Sequence, residues 1–505
     1  MRLLLISSEA VPYSKTGGLA DVSTALAKAL AAAGHDVSLV LPHHVQVQTK
    51  NRRPPRSLDG PKLSVRLGDR TVKAGSGWDV LPAPGPDGER REVRVLFVDQ
   101  PDYFDRPGLY GDPAGDYEDN AERFIFFSRA ALELAKVLAL RPQCVHANDW
   151  QTGLVPAMLA DDYLGTPGFE ETGSVFTIHN LAFQGSFPHW DMRRTGLNWE
   201  RFHYTQLEHH GRLNLLKAGI VAADKVTTVS PTYAEEIRTD ALGYGLEGAL
   251  INRGADLSGV LNGVDPAEWS PAADPYLAMN YTAANVAEGK AACKEALRNE
   301  LKLEVPESGE PGSPLFGMIS RMTDQKGFDL IAGCAEELMA TGAQFAFLGT
   351  GDPRYEGFVR HLSNQYPGQV AGFVGFDNGL AHRIEAGCDA YLMPSLYEPC
   401  GLNQMYSLAY GTVPVVHAVG GLADTVVDAS PENLKSGAAN GFVFDQPVPT
   451  ALAETVRRAV DCYRKTPDVW AQLVQTGMAA DHSWDASAAE YVQLYRSAAA
   501  RHAVA

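Results

Sequence analysis

The sequence predicts an α/β protein built from two doubly wound, Rossmann-like domains. The first observation is the length, because 505 residues exceed the size at which a single hydrophobic core stops growing. The second is that two separate stretches of the chain alternate short apolar strands with amphipathic helices, which is typical of parallel sheets covered by helices on both faces. Such sheets bind ligands at the carboxyl ends of their strands, so we expect the domains to face each other across a cleft.

The first series of elements begins at the amino terminus. Strands at Leu3–Ile6 and Val37–Leu41 flank a helix predicted over Asp21–Ala33, which carries its apolar side chains on one face and stops at Gly34. This pattern indicates a βαβ unit. Three further strands are predicted at 145–147, 175–178 and 226–229.

The second series begins near Pro314. A helix is predicted over Phe328–Met339, and strands are predicted at 315–319, 345–348, 370–374, 390–393 and 413–416. The preceding segment, Glu304–Ser313, is rich in Pro, Gly, Ser and Glu and indicates either an interdomain linker or a surface loop.

Composition and charge exclude some classes of partner. The net charge of -18 repels phosphate backbones and anionic lipids, so we expect neither nucleic acid nor membrane partners, whereas a neutral polysaccharide meets no such repulsion. The six cysteines are scattered without a C-x-x-C pair, which favours reduced thiols in a cytoplasmic protein. The first apolar run is only four residues long and is expected to be a buried strand rather than a signal peptide.

In each series, one cationic loop follows the first strand. The loop from Lys15 to Val22 opens the first helix, where backbone N–H groups and the lysine form an anion site. In the second series, Arg321 and Lys326 are spaced to clamp a diphosphate. The alternatives are a tight turn with an exposed lysine and two solvated surface cations. Neither loop matches a P-loop or a dinucleotide fingerprint.

A third candidate loop, Glu398-Pro399-Cys400-Gly401-Leu402, follows an apolar strand and precedes a helix. Glu398 can accept hydrogen bonds from sugar hydroxyls, and the N–H groups of Cys400, Gly401 and Leu402 can face an anion or hydroxyls. Cys400 also has the chemistry of a nucleophile, but the sequence offers no histidine in a supporting position.

Six motifs together resemble bacterial glycogen synthases and plant starch synthases. They span the chain from its first residue to about Tyr495, in the order of that family: the Lys15 loop, His146–Trp150, Thr177–Gly185, Leu261–Asp265, the Arg321 loop and Glu398–Leu402. The resemblance implies a GT-B fold, ADP-glucose as donor, an α-1,4-glucan such as glycogen as acceptor, retention of anomeric configuration and no cofactor.

The resemblance also implies a domain organisation. Residues 1–262 are expected to form an acceptor-side domain, residues 263–480 a domain on the side of the nucleotide-sugar donor, and residues 481–505 a helix that returns to the first domain.

Residue roles follow from the matched motifs. The resemblance assigns the donor glucose to His179 and Asn262 and places Glu398 beside the reacting carbon. The diphosphate is assigned to Lys15, Gly18, Arg321 and Lys326. The catalytic group is therefore expected to comprise Glu398, His179, Arg321 and Lys326.

Other roles concern the adenine and the acceptor. The resemblance places Phe376 against the adenine and Asp149 against the acceptor sugar, with Tyr103 and Tyr117 as stacking surfaces. The alternatives are a helix N-cap for Asp149, ordinary surface aromatics for the tyrosines, and core positions for His146 and Trp150.

Two positions depart from the family pattern. The family often has arginine where this chain has Leu396 and where it has His417. The loss of two cations is expected to change either contacts near the phosphates or an allosteric or structural pair, and to affect kinetic detail more than the reaction itself.

Three other functions stay open from the sequence alone. They are a related GT-B transferase that uses UDP-glucose or another acceptor, a nicotinamide-dependent oxidoreductase and a non-catalytic glucan-binding protein. The chain contains no D-x-D sequence, the usual carboxylate pair that holds a metal against a diphosphate, so we expect transfer without a metal ion.

Overall fold

The computed structural model describes residues 1–45, 54–305 and 312–503. The chain divides into two compact units, which we call unit 1 (Met1–Gly263 with Trp484–Ala505) and unit 2 (Val264–Ser483). The roles expected for the two domains, acceptor binding and donor binding, stay predictions. The central residues of the segment expected as a linker, 306–311, lie outside the described residues.

Unit 1 contains a nine-stranded sheet in its described residues. Its strands run in the order β14-β13-β9-β8-β1-β2-β5-β4-β3, and all neighbours are parallel except the antiparallel pairs β5–β4 and β4–β3. The strands of unit 1 are β1 Arg2–Ile6, β2 Asp36–Pro42, β3 Leu63–Leu67, β4 Arg70–Pro82, β5 Glu92–Asp99, β6 Gly111–Asp112, β7 Gly115–Asp116, β8 Cys144–Asn148, β9 Gly173–Ile178, β10 Ser186–Pro188, β11 Glu208–His209, β12 Arg212–Asn214, β13 Lys225–Thr228 and β14 Leu257–Gly259.

The helices of unit 1 cover this sheet. Helix α1 begins at Gly18, three residues before the predicted start, and the chain turns after it at Gly34, whose φ of 88° is readily adopted by glycine. The helices are α1 Gly18–Ala32, α2 Pro101–Phe104, α3 Asn120–Val137, α4 Val155–Met158, α5 Met192–Thr195, α6 Leu215–Ala222, α7 Pro231–Glu236, α8 Glu247–Asn252 and, at the carboxyl end of the chain, α19 Trp484–Ala500.

Helix α19 joins the core of unit 1 although it is distant in sequence. Its residues Trp484, Tyr491 and Tyr495 are buried in the same apolar cluster as Leu3 and Leu5 of β1. The last helix is thus an integral layer of the first unit.

Unit 2 contains a six-stranded, fully parallel sheet in the order β17-β16-β15-β18-β19-β20. Its strands are β15 Leu315–Ile319, β16 Gln344–Gly349, β17 Val370–Val374, β18 Ala390–Met393, β19 Val413–His417 and β20 Phe442–Phe444. Its helices are α9 Val286–Leu301, α10 Phe328–Gly333, α11 Ala335–Ala340, α12 Pro353–Gln365, α13 Asn378–Gly387, α14 Asn403–Ala409, α15 Gly420–Thr425, α16 Pro431–Ser436, α17 Pro449–Lys465 and α18 Pro467–Ala479.

The predicted strands of both series are confirmed, and those at 315–319, 370–374 and 390–393 have the predicted bounds. The single helix predicted over Phe328–Met339 is wrong. The chain forms α10 and α11 instead, with a break at Cys334, where φ is -130°. A Cβ atom on Gly333 would lie 2.6 Å from the ring of Pro449, so the close approach of α17 accompanies the break. Across the described ranges, each helix is too short or too polar to span a bilayer.

Candidate active site

The candidate residues collect where the strand order of each sheet reverses. In unit 1 the chain passes from β1 to β2 on one side and later to β8 on the other, and in unit 2 it passes from β15 to β16 and later to β18. The loops after β1, β8, β15 and β18 therefore open at the carboxyl edge beside a topological switch point. Open α/β sheets bind their ligands at this position.

In unit 2, the loops after β15 and β18 meet in a buried ion pair. Lys326 Nζ lies 2.6 Å from Glu398 Oε2, and the two side chains are 18% and 8% exposed. The Ser395 hydroxyl donates to the same carboxylate oxygen at 2.9 Å. The carboxylate is thus fixed in one orientation by a cation and a hydroxyl.

Two glycines allow this close approach of loops. Gly327 has a φ of 75°, and a Cβ atom there would lie 2.1 Å from the Pro394 carbonyl oxygen. Gly420 has a φ of 43°, and a Cβ atom there would lie 2.0 Å from the Glu398 carbonyl oxygen. A side chain at either position would therefore force one of the contacting loops to shift.

Arg321 projects from the same edge with its charge uncompensated. Its side chain is exposed, and within the described part of unit 2 its guanidinium group has no hydrogen-bond or ion-pair partner. A small cavity of about 50 Å³ opens at this edge, lined among others by Ser320, Lys326, Ser395 and Glu398. A free guanidinium group can bind an anion in a bidentate manner.

The other expected donor residues of unit 2 lie around the same edge. Cys400 is buried, while Gly401 and Leu402 are half-buried directly before α14. The Cys400 carbonyl accepts from the Gln404 side chain at 3.0 Å. Phe376, in the loop after β17, is 82% exposed, so its ring face is available to an aromatic base.

The two positions that depart from the family pattern are both accommodated in the fold. Leu396 is partly buried against the apolar core of unit 2. His417 is buried and stacks on Phe444 with ring centroids 5.3 Å apart. Its Nδ1 lies 2.8 Å from the Ser395 carbonyl oxygen, so His417 holds the strand end that carries Ser395 and Glu398.

In unit 1, the ends of β8 and β9 bring Asn148, Asp149 and His179 together. The backbone N–H of His179 donates to Asp149 Oδ1 at 2.7 Å, and His179 Nε2 lies 2.9 Å from Asn148 Oδ1. Because an amide oxygen only accepts, Nε2 carries the proton and Nδ1 is left with a lone pair. His179 can therefore accept a hydrogen bond from a hydroxyl.

Asp149 stands in a strained backbone conformation. Its φ of 56° and ψ of -178° fall in a region that glycine alone occupies readily. Asp149 occupies the N-cap position of the 3₁₀ turn Trp150–Thr152, as the alternative expectation had it, but its side chain makes no cap hydrogen bond to the described turn. Its carboxylate points instead to the backbone after β9, and such strain is typical of functional positions.

Burial shifts the pKa values of Asp149 and His179 in the directions that favour their neutral forms. Desolvation raises the pKa of Asp149 to about 7 and lowers the pKa of His179 to about 3. His179 is therefore neutral at physiological pH, whereas the pKa of Asp149 lies close to physiological pH. His146 is buried and bonded to Tyr495 and Thr177, which confirms its interpretation as a core residue.

The raised pKa of Asp149 predicts a pH-dependent cost in stability. The folded chain keeps this proton up to pH 7, whereas the unfolded carboxyl group loses it near pH 4. The stability of the protein should therefore fall as the pH rises from about 4 to about 7. Asp149→Asn removes the titrating group and keeps an oxygen acceptor. Between about pH 4 and pH 7, the Tm of the variant relative to that of the wild type should therefore rise by on the order of 3 °C or more. Thermal unfolding from pH 4 to 8 measures the difference, with Asp116→Asn in the exposed strand β7 as the control. Parallel Tm curves would contradict the prediction.

The Lys15 loop is anchored at its base and open at its tip. Lys15 Nζ contacts Asp21 Oδ1 at 2.7 Å, and both side chains are partly exposed. Burial raises the pKa of Asp21 although Lys15 opposes the shift. The Thr16 hydroxyl donates to the buried carboxylate of Glu9 at 2.7 Å. A Cβ atom on Gly17 would meet no described atom within 4 Å, so the start of α1 with Gly18 is accessible to a ligand.

The expected contacts of Tyr103 are not supported. Tyr103 is buried against Phe104 and Phe126, and its hydroxyl donates to Glu122, so its ring has no free face for a sugar. The prediction of a sugar contact fails because the Tyr103 ring packs into the aromatic core beside α3.

Tyr117 and Asn262 are placed differently. Tyr117 is half-exposed, with the guanidinium groups of Arg106 and Arg123 over its ring at 4.9 and 5.1 Å. Asn262 is buried, and its Oδ1 has no hydrogen-bond partner in the described structure. An unsatisfied buried oxygen is costly, and a ligand hydroxyl would satisfy it.

Sequence reasoning missed three residues that shape these sites. Asn148 lies inside the His146–Trp150 motif, and Ser395 lies between the end of β18 and the Glu398–Leu402 motif, so both positions could have been used. Glu9 carries no motif of its own, and only the fold shows that Thr16 and Tyr110 both donate to its carboxylate.

Comparison with known proteins identifies the family of the chain. Residues 2–252 match the starch synthase catalytic domain family, and residues 303–473 match the glycosyl transferases group 1 family. A glycogen synthase of Anaeromyxobacter sp. (strain Fw109-5) is 48% identical over 504 residues, covering 99% of this chain and 100% of the relative. A glycogen synthase of Rhodopirellula baltica is 42% identical, covering 98% and 97%.

A solved structure extends the likeness to three dimensions. The catalytic domain of starch synthase IV from Arabidopsis thaliana, bound to ADP and acarbose, superposes with a TM-score of 0.87 at 32% identity and covers 99% of both chains. The chain therefore belongs to the glycogen synthase and starch synthase family and is a glycosyltransferase of the GT-B fold.

Proposed function

We propose that this glycosyltransferase moves glucose from ADP-glucose to the non-reducing end of an α-1,4-glucan, with retention of anomeric configuration and without a metal ion. The observation that carries the proposal is the buried Glu398 carboxylate, which Lys326 and Ser395 hold at the sheet edge whose loops also carry the exposed Arg321. The likeness to a starch synthase solved with ADP and acarbose supports the choice of substrates. The six free cysteine thiols support a reducing cytoplasmic setting.

In this proposal, cations of the chain hold the donor diphosphate. Arg321 offers a planar, doubly donating group, and Lys15 with the N-terminus of α1 at Gly18 offers a point charge and free N–H groups. These groups neutralise the charge that develops on ADP as it leaves. Phe376 supplies an exposed ring against which the adenine can stack.

Glu398 acts on the glucosyl group rather than on the phosphates. We infer that its carboxylate accepts from sugar hydroxyls and stabilises the positive charge that develops at the reacting carbon. Lys326 fixes the carboxylate and comes from the same loop as Arg321, so we infer that it also contacts a diphosphate oxygen. The neutral His179 and the unpaired Asn262 oxygen accept from other glucose hydroxyls.

The transfer proceeds on one face of the sugar in this account. The bond between the anomeric carbon and the ADP oxygen breaks, and the acceptor hydroxyl oxygen bonds to that carbon from the same side. The hydroxyl proton passes to the departing phosphate oxygen. Because Arg321 and Lys326 stabilise the leaving group on the side where the acceptor enters, configuration is retained through an oxocarbenium-like state. Asp149 orients the acceptor sugar.

Lys15→Gln is expected to impair donor use selectively. The substitution removes the charge next to the diphosphate and frees Asp21, but it leaves the strand ends that carry Asp149 and His179 unchanged. We expect kcat/KM for ADP-glucose to fall by about ten- to a hundredfold, the range for one lost charged contact, with unchanged binding of glycogen. Initial rates over both substrates measure this. A change confined to the acceptor KM would show that the loop serves the glucan instead.

The proposed function is tested by ADP release. The purified protein should release ADP from ADP-glucose only when glycogen is present. It should release UDP from UDP-glucose more slowly. Its rate of ADP release should be unchanged after exhaustive chelation of metal ions. A preference for UDP-glucose would overturn the donor assignment, and loss of activity restored by Mg²⁺ or Mn²⁺ would overturn the metal-free mechanism. Binding of glycogen without release of either nucleotide would identify a non-catalytic glucan-binding protein.

A further inference from the structure

We propose that His417 is a pH-sensitive positioning residue, whose protonated ring joins the strand ends on either side of it and thereby keeps Glu398 in place for the transfer. The proposal rests on the proposed function, because it concerns the carboxylate to which that function assigns the reacting sugar. His417 acts through Ser395 rather than on the sugar itself.

His417 links the two strands that flank its own. It is the last residue of β19, which lies between β18 and β20 in the sheet. Its Nδ1 lies 2.8 Å from the carbonyl oxygen of Ser395, in the loop after β18. Its Nε2 lies 3.3 Å from the carbonyl oxygen of Asp445, the residue directly after β20. The ring thus connects three adjacent strand ends at the carboxyl edge of the sheet.

These two acceptors require two N–H groups on one ring. A carbonyl oxygen only accepts hydrogen bonds, and a neutral imidazole has a single N–H group, whereas the imidazolium has two. In the neutral ring, one nitrogen turns its lone pair toward a carbonyl oxygen, and that contact is repulsive. Protonation therefore forms both hydrogen bonds, and deprotonation breaks one of them.

The surroundings of the ring favour its positive charge. The Phe444 ring stacks on it with centroids 5.3 Å apart, and an aromatic face attracts a cation. On the adjacent described elements, the charged groups are Asp424 of α15, Asp445, and Glu398 with its partner Lys326. The buried residues of α14, α17 and α18, the other helices packed on β19, are uncharged. Carboxylates thus outnumber cations around the ring, which favours the protonated form.

The link from His417 reaches Glu398 through a single residue. The Ser395 carbonyl faces His417, while the Ser395 hydroxyl donates to Glu398 Oε2 at 2.9 Å. Ser395 is 1% exposed, so a shift of its backbone also moves its hydroxyl within a closely packed site. The Lys326 ion pair does not depend on this link. Loss of the proton from His417 should therefore loosen the carboxylate without separating it from the lysine.

Three substitutions at His417 test the proposal through kinetics. His417→Arg supplies donors that stay charged and restores the residue that the family often has here. His417→Asn keeps a donor near the position of Nδ1, and His417→Gln keeps one near that of Nε2. As the pH rises from 5.5 to 9, the kcat of wild type divided by that of His417→Arg should fall by about three- to tenfold, the effect of one lost hydrogen bond. Groups such as Asp149 titrate in both proteins, so their effect cancels in this ratio.

The two neutral variants report which contact matters. At pH 5.5, His417→Gln loses the contact with Ser395 and should have a kcat about tenfold below wild type, whereas His417→Asn keeps that contact and should lose less. The KM for ADP-glucose should stay within about twofold of wild type in both variants, since neither change touches the donor. His361→Arg, at an exposed position of α12, is the matched control and should keep the wild-type pH profile.

Nitrogen-15 NMR of histidine-labelled protein reads the charge of the ring without kinetics. The His417 signals are identified by their absence from the spectra of the three variants, and they should show two protonated nitrogens at pH 5.5 and one at pH 9. A neutral ring at pH 5.5, or a kcat ratio between wild type and folded His417→Arg that stays constant with pH, would overturn the proposal. The expected titration in a protein without ADP-glucose transfer would overturn the proposed function instead, so the two failures are distinguishable.

Discussion

Glu398→Gln is expected to lower turnover by two or more orders of magnitude. Glutamine keeps the size of the side chain and can still accept from Ser395, but it lacks the negative charge that we place beside the developing positive charge on glucose. An interaction made mainly in the transition state lowers kcat and kcat/KM together when it is lost. Steady-state kinetics with ADP-glucose and glycogen measure both quantities.

The fold of this variant must be checked, because Lys326 loses its partner. A partly buried cation without its carboxylate is destabilising, so thermal unfolding accompanies the kinetics. Ser395→Ala serves as the control, since it removes the hydroxyl from the carboxylate and leaves the Lys326 pair intact; we expect a loss of about tenfold or less. Wild-type turnover in a folded Glu398→Gln protein would remove Glu398 from the catalytic group.

Arg321→Ala is expected to lose roughly two to three orders of magnitude in turnover, the scale seen when one preorganised charge-stabilising donor is deleted. The side chain has no partner to release among the described residues of unit 2, so its removal should leave the Tm nearly unchanged. The whole effect should therefore appear in the kinetics.

The matched control is Arg354→Ala, an exposed arginine of the same unit that pairs with Asp324 and Asp352. This variant should keep wild-type turnover within about twofold. If Arg354→Ala and Arg321→Ala lose equal activity, general surface charge rather than a specific phosphate contact is responsible.

The sequence predicted the elements that place the candidate site. Arg321 and Glu398 directly follow apolar strands, and in a parallel sheet the strand ends share one edge, so the pattern alone brings these loops to the same side. The resemblance to a known family then assigned the parts of the donor and acceptor to individual residues.

What the sequence could not predict depends on contacts between distant residues. The ion pair of Lys326 with Glu398 joins positions 72 residues apart, and the pattern assigned the lysine to the phosphates alone. Tyr103 was expected at the surface because nothing nearby in sequence shows that α3 covers it. The break between α10 and α11 accompanies the contact of Gly333 with Pro449, which local periodicity does not register.

The central claim, α-1,4 transfer from ADP-glucose to the non-reducing end with retention, is tested most directly by the position and linkage of the transferred sugar. Glycogen extended with radiolabelled ADP-glucose would be digested with β-amylase, which removes maltose from non-reducing ends only through α-1,4 bonds. The account predicts that nearly all label is released as maltose early in the digestion. Label that stays with the polymer, or that requires cleavage of another linkage, would contradict it.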